Sequence, residues 1–275
     1  MARTVKIGNL RLGRRQPLLL IAGPCVIESR RSCLSLAQKL AALSDQEGIP
    51  FIFKASYDKA NRSSHRSFRG PGIEEGLDVL AEVREQYDVP VLTDVHRESD
   101  VARVAEVVDI VQIPAFLCRQ TDLLIAAGEA KCAVNVKKGQ FLAPWDMLNI
   151  IKKIENTGNQ RIILTERGTS FGYNNLVADM RSLLIMKEFG YPVVFDATHS
   201  VQRPGGAGNR SSGDGRWAAD LARAAVATGC DGVFLETHIN PERAQSDKDT
   251  LLPFSRMKKT WEKLRAIHEL VETSN

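Results

Sequence analysis

Eight short apolar runs alternate with amphipathic stretches along almost the whole chain, and this alternation leaves few folds open. The runs cover residues 18–22, 51–55, 91–95, 110–113, 133–137, 161–165, 193–197 and 232–236. Helical periodicity fills the gaps at roughly 32–47, 73–86, 98–107, 120–129, 145–156, 175–188 and 216–228, with a last segment at 255–272. Prolines 50, 90 and 192 stand just before strands two, three and seven, where they stop the preceding element. The runs are apolar throughout, as parallel strands covered on both faces must be. Eight strand–helix units in about 250 residues predict a single (β/α)8 barrel, a TIM barrel. A doubly wound open sheet is the runner-up, but no GxGxxG follows the first run. Residues 1–17 read as an N-terminal extension, a candidate hairpin over the barrel floor, and 18–275 as the catalytic barrel.

Composition narrows the function classes. The chain has 275 residues, 43% of them hydrophobic and 25% charged, which excludes wholesale disorder. Its 37 basic and 33 acidic residues are dispersed, so small anionic ligands suit it better than nucleic acid. The apolar stretch 18–22 is far too short to span a bilayer, and Arg11, Arg14 and Arg15 precede it without a signal-peptide cleavage pattern. A cytoplasmic protein with no membrane partner is expected. Cys25, Cys33, Cys118, Cys132 and Cys230 form an odd, scattered set without a CxxC pair, which fits reduced thiols.

A barrel carries its chemistry at the carboxyl ends of its strands. There the sequence sets Cys25, Lys54, Asp94, Gln112, Lys137, Arg167, His199 and Glu236. Such a ring of cations calls for anionic ligands. Lys137 and Lys138 are adjacent on one strand, so only one can face the mouth, and counting outward selects Lys137. A Schiff-base aldolase would also want a lysine there. Barrel closure brings strand eight beside strands one and seven, so Cys25, His199 and Glu236 converge, a donor set suited to zinc or ferrous iron. Asp247, Asp249 and Glu242 compete for a further ligand position, and His238 competes with His199. The loop 56–70 holds Lys59, Arg62, Arg66 and Arg69 among hydroxyl residues, a composition suited to phosphate. The glycine-rich loop 200–215, with Arg203 and Arg210, reads as a lid.

The motifs IAGPCVIES around Cys25, KASYDKANRSS at 54–64, FRGPG around Arg69, TDVH at 93–96, QIPAFLCRQ at 112–120, NVKKGQF at 135–141, RGTSFGYNNLVADM at 167–180, DATHSVQ at 196–202 and FLETH at 234–238 occur in one order. Together they resemble the 3-deoxy-D-manno-octulosonate-8-phosphate synthase family over nearly the whole chain. The resemblance implies a homotetrameric barrel that condenses phosphoenolpyruvate with D-arabinose 5-phosphate and releases phosphate, without a Schiff base, on the route to lipopolysaccharide. A cysteine after the first strand, where other members carry asparagine, implies the metal-dependent class. Its ligands would be Cys25, His199, Glu236 and Asp247, and the metal a divalent ion such as zinc, ferrous iron or manganese. The resemblance assigns phosphoenolpyruvate to Lys54, Gln112, Lys137 and Arg167. It assigns the aldose phosphate to Lys59, Asn61, Arg62 and Ser63, with Arg119 reaching in from a neighbouring subunit. Lys59, Asn61, Lys137 and His199 are the implied catalytic group. The sister synthase acting on erythrose 4-phosphate carries lysine-proline-arginine-threonine-serine where this chain has KANRSS, which favours the five-carbon sugar. Gly139 departs from the family pattern and implies a local change of loop geometry. A barrel that merely binds sugar phosphates is the non-enzymatic alternative.

Overall fold

Side chains along a strand alternate between two faces, so in a barrel every second residue must suit the axis and its neighbours the surrounding helices. The structure, a computed structural model, describes residues 3–206 and 212–273. A short antiparallel hairpin comes first, β1 (Val5–Ile7) and β2 (Leu10–Leu12), with Gly8 in the left-handed region at its turn. The chain then runs through β3 (Leu19–Gly23), α1 (Arg30–Glu47), β4 (Phe51–Lys54), α2 (Ile73–Tyr87), β5 (Val91–Asp94), α3 (Glu98–Val107), β6 (Ile110–Ile113) and α4 (Thr121–Glu129). Next come β7 (Ala133–Lys137), α5 (Met147–Glu155), β8 (Ile162–Glu166), a small hairpin β9 (Thr169–Ser170) and β10 (Leu176–Val177), α6 (Arg181–Lys187) and β11 (Val193–Asp196). A second small hairpin, β12 (Gln202–Arg203) and β13 (Ser212–Gly213), precedes α7 (Ala218–Ala227), β14 (Gly232–His238), β15 (Leu252–Pro253) and α8 (Met257–Thr273).

Strands β3, β4, β5, β6, β7, β8, β11 and β14 pair in that order, all parallel, and β14 pairs back to β3. The barrel is closed. Leu19, Ile21, Ile52, Leu92, Ile110, Ala133, Ile163, Val194 and Phe234 point inward and pack in one cluster with Val5, Ile7 and Leu12 of the hairpin. Arg3 N–H donates to the carbonyl of Gly190, just before β11, so the hairpin sits on the amino end and seals it. Each fully buried Val, Leu, Ile or Phe among them contributes about 1.5–3 kcal/mol relative to exposure. On the opposite parity Phe53, Val111, Val136 and Phe195 join the outer core with Leu40, Leu80, Ile154 and Trp261 of the helices.

Two residues beyond the inward apolar layer, the same face becomes polar. Lys54, Asp94, Gln112, Asn135, Thr165, Asp196 and Glu236 are all buried there, and Lys137 follows Asn135. Gly23 allows β3 and β4 to approach at this level, since a Cβ on it would lie 1.9 Å from the Lys54 carbonyl oxygen.

One element differs from the sequence reading. The helix expected over 175–188 begins only at Arg181, because Leu176 and Val177 pair with Ser170 and Thr169 instead. Gly172 and Asn174, both at positive φ, turn that hairpin, and the Asp179 carboxylate accepts the Arg181 N–H where the helix starts. In the segment expected as a lid, Arg210 lies outside the described residues.

Candidate active site

The polar layer opens into a cavity of about 770 Å³ at the carboxyl end of the barrel. Lys54, Lys59, Asn61, Arg62, Ser63, Gln112, Lys137, Arg167, His199, Glu236 and Asp247 all line it. Most of the cations are already matched by acids. Lys54 Nζ sits 2.6 Å from Glu236 Oε1 and donates to the Cys25 carbonyl, while Lys59 Nζ is 3.9 Å from the same carboxylate oxygen. Lys137 pairs with Asp196 and lies 3.8 Å over the Phe234 ring. Glu236, Asp196, Asp94 and Asp247 thus supply much of the countercharge to this ring.

What remains unmatched is specific. Arg167 Nη2 donates to Gln202, but its Nη1 is buried without a partner. Arg62 Nε donates to the Phe68 carbonyl, and its Nη2 is likewise buried and unpartnered. A buried donor left unmade costs roughly 1–3 kcal/mol or more when charged, so both guanidinium groups are poised for an acceptor. Arg62 lies in the long loop after the second barrel strand, β4, and Arg167 directly after the sixth, β8, on opposite sides of the strand order.

Beneath the loop between β14 and β15 is an acid–thiol cluster. The Cys25 thiol donates to Asp247 Oδ2 at 3.0 Å and contacts Ser246 Oγ at 2.9 Å. Ligand atoms of Cys25, Glu236 and Asp247 lie within 4.8 Å of one another, and no other such trio of His, Cys, Asp or Glu occurs among the described residues. Glu236 Oε2 is buried and accepts no hydrogen bond, and His199 Nε2 stands 3.5 Å from it. His199 thus adjoins the trio without joining it. Its Nδ1 is held 2.7 Å from Asp196 Oδ2, which turns Nε2 toward Glu236. Of the alternatives open in the sequence, Glu242 and Asp249 lie outside the trio, and His238 faces Glu28, 3.6 Å away.

Charge states follow from these surroundings. Burial opposes ionisation of Glu236, but Lys54, His199, Lys59 and Lys137 hold its carboxyl well below the usual range. Burial, with Asp247 and Glu236 adding, pushes the Cys25 thiol well up. A protonated thiol stands among two carboxylates here, one of whose oxygens, Glu236 Oε2, accepts no hydrogen bond, and the soft sulfur with two hard oxygens fits a divalent ion taking that proton's place. Burial lowers Lys137 and Arg167 below their ordinary values against the pull of Asp196.

Sequence reasoning missed three members of the layer. Asp196 holds both Lys137 and His199. Thr165 Oγ1 donates to Asn135 Oδ1, and Asn135 Nδ2 to Gln112 Oε1, a buried relay that orients the Gln112 amide. Parity was the available signal: each lies two residues beyond an inward apolar residue, Val194, Ile163 or Ala133. Arg119 stands apart, exposed, beside a separate hollow of about 330 Å³ with Leu142, Asp146 and Lys153.

Paired lysines, two unpartnered guanidinium nitrogens and an acid–thiol cluster at the carboxyl end of a closed (β/α)8 barrel define the class, a barrel enzyme whose mouth is suited to anions. The model of the DAHP synthetase I family matches residues 3–273, and the chain belongs to that family. It is 57% identical to a protein of Geobacter metallireducens named 2-dehydro-3-deoxyphosphooctonate aldolase, over 99% of this chain and 100% of the relative. Proteins of the same name from Granulibacter bethesdensis, 57% identical over 96% and 94% of the two chains, and Syntrophotalea carbinolica, 54% over 99% and 98%, are similar too.

Proposed function

We propose that the protein condenses phosphoenolpyruvate with D-arabinose 5-phosphate and water, giving 3-deoxy-D-manno-octulosonate 8-phosphate and inorganic phosphate on the route to lipopolysaccharide. The observation that carries this reading is the pair of buried, unpartnered guanidinium nitrogens on two residues that line one cavity, one for each phosphorylated substrate. The name shared by relatives at 54–57% identity supports it.

In this reading Arg167, Lys137, Lys54 and Gln112 hold phosphoenolpyruvate, and Arg62, Ser63 and Asn61 hold the aldose phosphate with its aldehyde near C3 of the enol. Lys59 meets the charge that grows on the aldehyde oxygen as the carbon–carbon bond forms, a role commonly worth roughly 3–4 kcal/mol per preorganised donor. Water adds to C2, and the resulting hemiketal phosphate collapses by carbon–oxygen cleavage. His199, held by Asp196, is placed to orient or relay a proton. Cys25, Glu236 and Asp247, with His199 adjoining, would hold a divalent ion, zinc or ferrous iron first and manganese next. Such an ion supplies Lewis-acid charge stabilisation beside the substrates.

A homotetramer completes the reading. Phe116, Phe141 and Trp145 are 50%, 55% and 62% exposed on the loops after β6 and β7, close to Arg119. An apolar face of this kind is suited to cover by a second copy, which would carry Arg119 into the neighbour's aldose phosphate site. Among the described residues no helix is long and apolar enough to cross a membrane. The five cysteines, all buried and free, suit a reducing cytoplasm.

The test is phosphate release from phosphoenolpyruvate with arabinose 5-phosphate or erythrose 4-phosphate, each with and without chelator. Turnover with the five-carbon sugar, abolished by chelation, is expected. Preference for erythrose 4-phosphate would point to the sister synthase. Binding without phosphate release would leave only a sugar-phosphate-binding barrel, and borohydride trapping of Lys137 would establish a Schiff base instead.

A further inference from the structure

Directly behind the mouth stands a third buried ion pair, to which none of the roles above has been given. Lys138 follows Lys137 just past the end of β7, and its side chain turns away from the cavity toward Glu166, on the outward parity of β8. It is 0% exposed. Its Nζ lies 3.6 Å from Glu166 Oε1 and donates to Thr169 Oγ1 at 3.0 Å and the Leu142 carbonyl at 3.3 Å. Glu166 is 1% exposed, on the outward parity of β8. Its Oε1 accepts the backbone N–H groups of Arg167 at 3.0 Å and Gly168 at 2.6 Å, and its Oε2 accepts from Ser182 Oγ at 2.7 Å, in the first turn of α6. Gly168, at φ +91°, turns the chain so that both N–H groups meet one oxygen.

We propose that Lys138 and Glu166 are positioning residues that aim Arg167 at the phosphoenolpyruvate anion from outside the cavity. This rests on the reading of Arg167 given above. A buried ion pair is a poor way to gain stability, because apolar residues of similar volume usually pack as well or better. What the pair provides is direction. The Glu166 carboxylate grips two successive N–H groups where the chain leaves β8, which fixes the point from which the Arg167 side chain departs. The Lys138 ammonium ties that carboxylate to the loop after β7, the strand that ends in Lys137. The two cations on adjacent strands are thereby held in one fixed relation by a link that touches no substrate. Arg167 Nη1, with no partner of its own, depends on this backbone support for its aim.

Three variants of the full-length, metal-loaded protein test this: Glu166→Gln, Lys138→Met and the charge-free double variant. The readouts are KM for each substrate, kcat, phosphoenolpyruvate affinity by calorimetry without the second substrate, and thermal unfolding. In every folded variant, KM and Kd for phosphoenolpyruvate should rise about tenfold or more, the scale on which small misplacements act, while KM for the aldose phosphate stays unchanged. The double variant should regain stability over either single variant without regaining affinity. If the buried substitutions prevent folding, Ser182→Ala, which removes one strut from Glu166, should still raise KM for phosphoenolpyruvate alone. Folded variants that bind phosphoenolpyruvate like the wild type would overturn the proposal while leaving the functional reading intact. A wild type that binds no phosphoenolpyruvate would overturn both.

Discussion

Cys25 shows how much one side chain can decide at this site. Its sulfur is the only soft donor in a trio completed by Glu236 and Asp247, and burial beside those two carboxylates pushes its thiol well up. Cys25→Ala should therefore lose bound zinc or iron, measured by metal analysis after gel filtration, and most of its turnover, with the fold retained. Asp94 gives a different kind of test. Burial opposes its ionisation, but the hydrogen bond from His96 and the charge of Lys59 hold its carboxyl well below the usual range. A carboxyl depressed in the fold stabilises it fully above the unfolded pKa of about 3.9, and that contribution drains away as pH falls toward the folded value. Urea unfolding of wild type and Asp94→Asn should show a wild-type advantage that is constant near neutrality and shrinks below about pH 4. The strand-end residues were legible one by one, because counting from the apolar runs names them. Their partners were less so: Asp196 sits inside a strand and looks like any aspartate before a turn, and its hold on Lys137 and His199 is visible only once β7 and β11 stand in one barrel.

At the scale of elements, parity explains what could be read and what could not. All eight barrel strands were legible because each must be apolar on both faces. The hairpin β9–β10 was not, since two-residue strands have no periodicity and Leu176 and Val177 look like the start of a helix. Among the remaining elements, the N-terminal hairpin offers the clearest stability test. Leu12 is 0% exposed and packs inside the barrel with Val5, Ile7 and the inward strand residues. Leu12→Ala should cost about 2–5 kcal/mol by denaturant titration, the range for a buried leucine truncated in a filled core. Because the hairpin lies at the opposite end from the mouth, KM for either substrate should stay near the wild-type value.

For the whole molecule, the exposed aromatic face and the isolated Arg119 make one connected expectation. Trp145→Glu should shift the protein to smaller species in light scattering, since a charge would have to be buried if a second copy covers that face. Arg119→Ala should leave assembly intact and raise KM for the aldose phosphate alone. The two results together distinguish a residue that serves a neighbour from one that serves its own cavity. Beyond the resemblance that assigns Arg119 to a neighbour, nothing in the order of residues marks these loops for such a contact.

The sealed amino end carries a consequence for traffic. With Val5, Ile7 and Leu12 filling that end, the barrel is a flask with a single neck, and everything that enters must leave by the same opening. Arg167 is only 6% exposed, and Arg62 is half-buried in its loop on the same cavity. A ligand held at Arg167 therefore has one way in and the same way out.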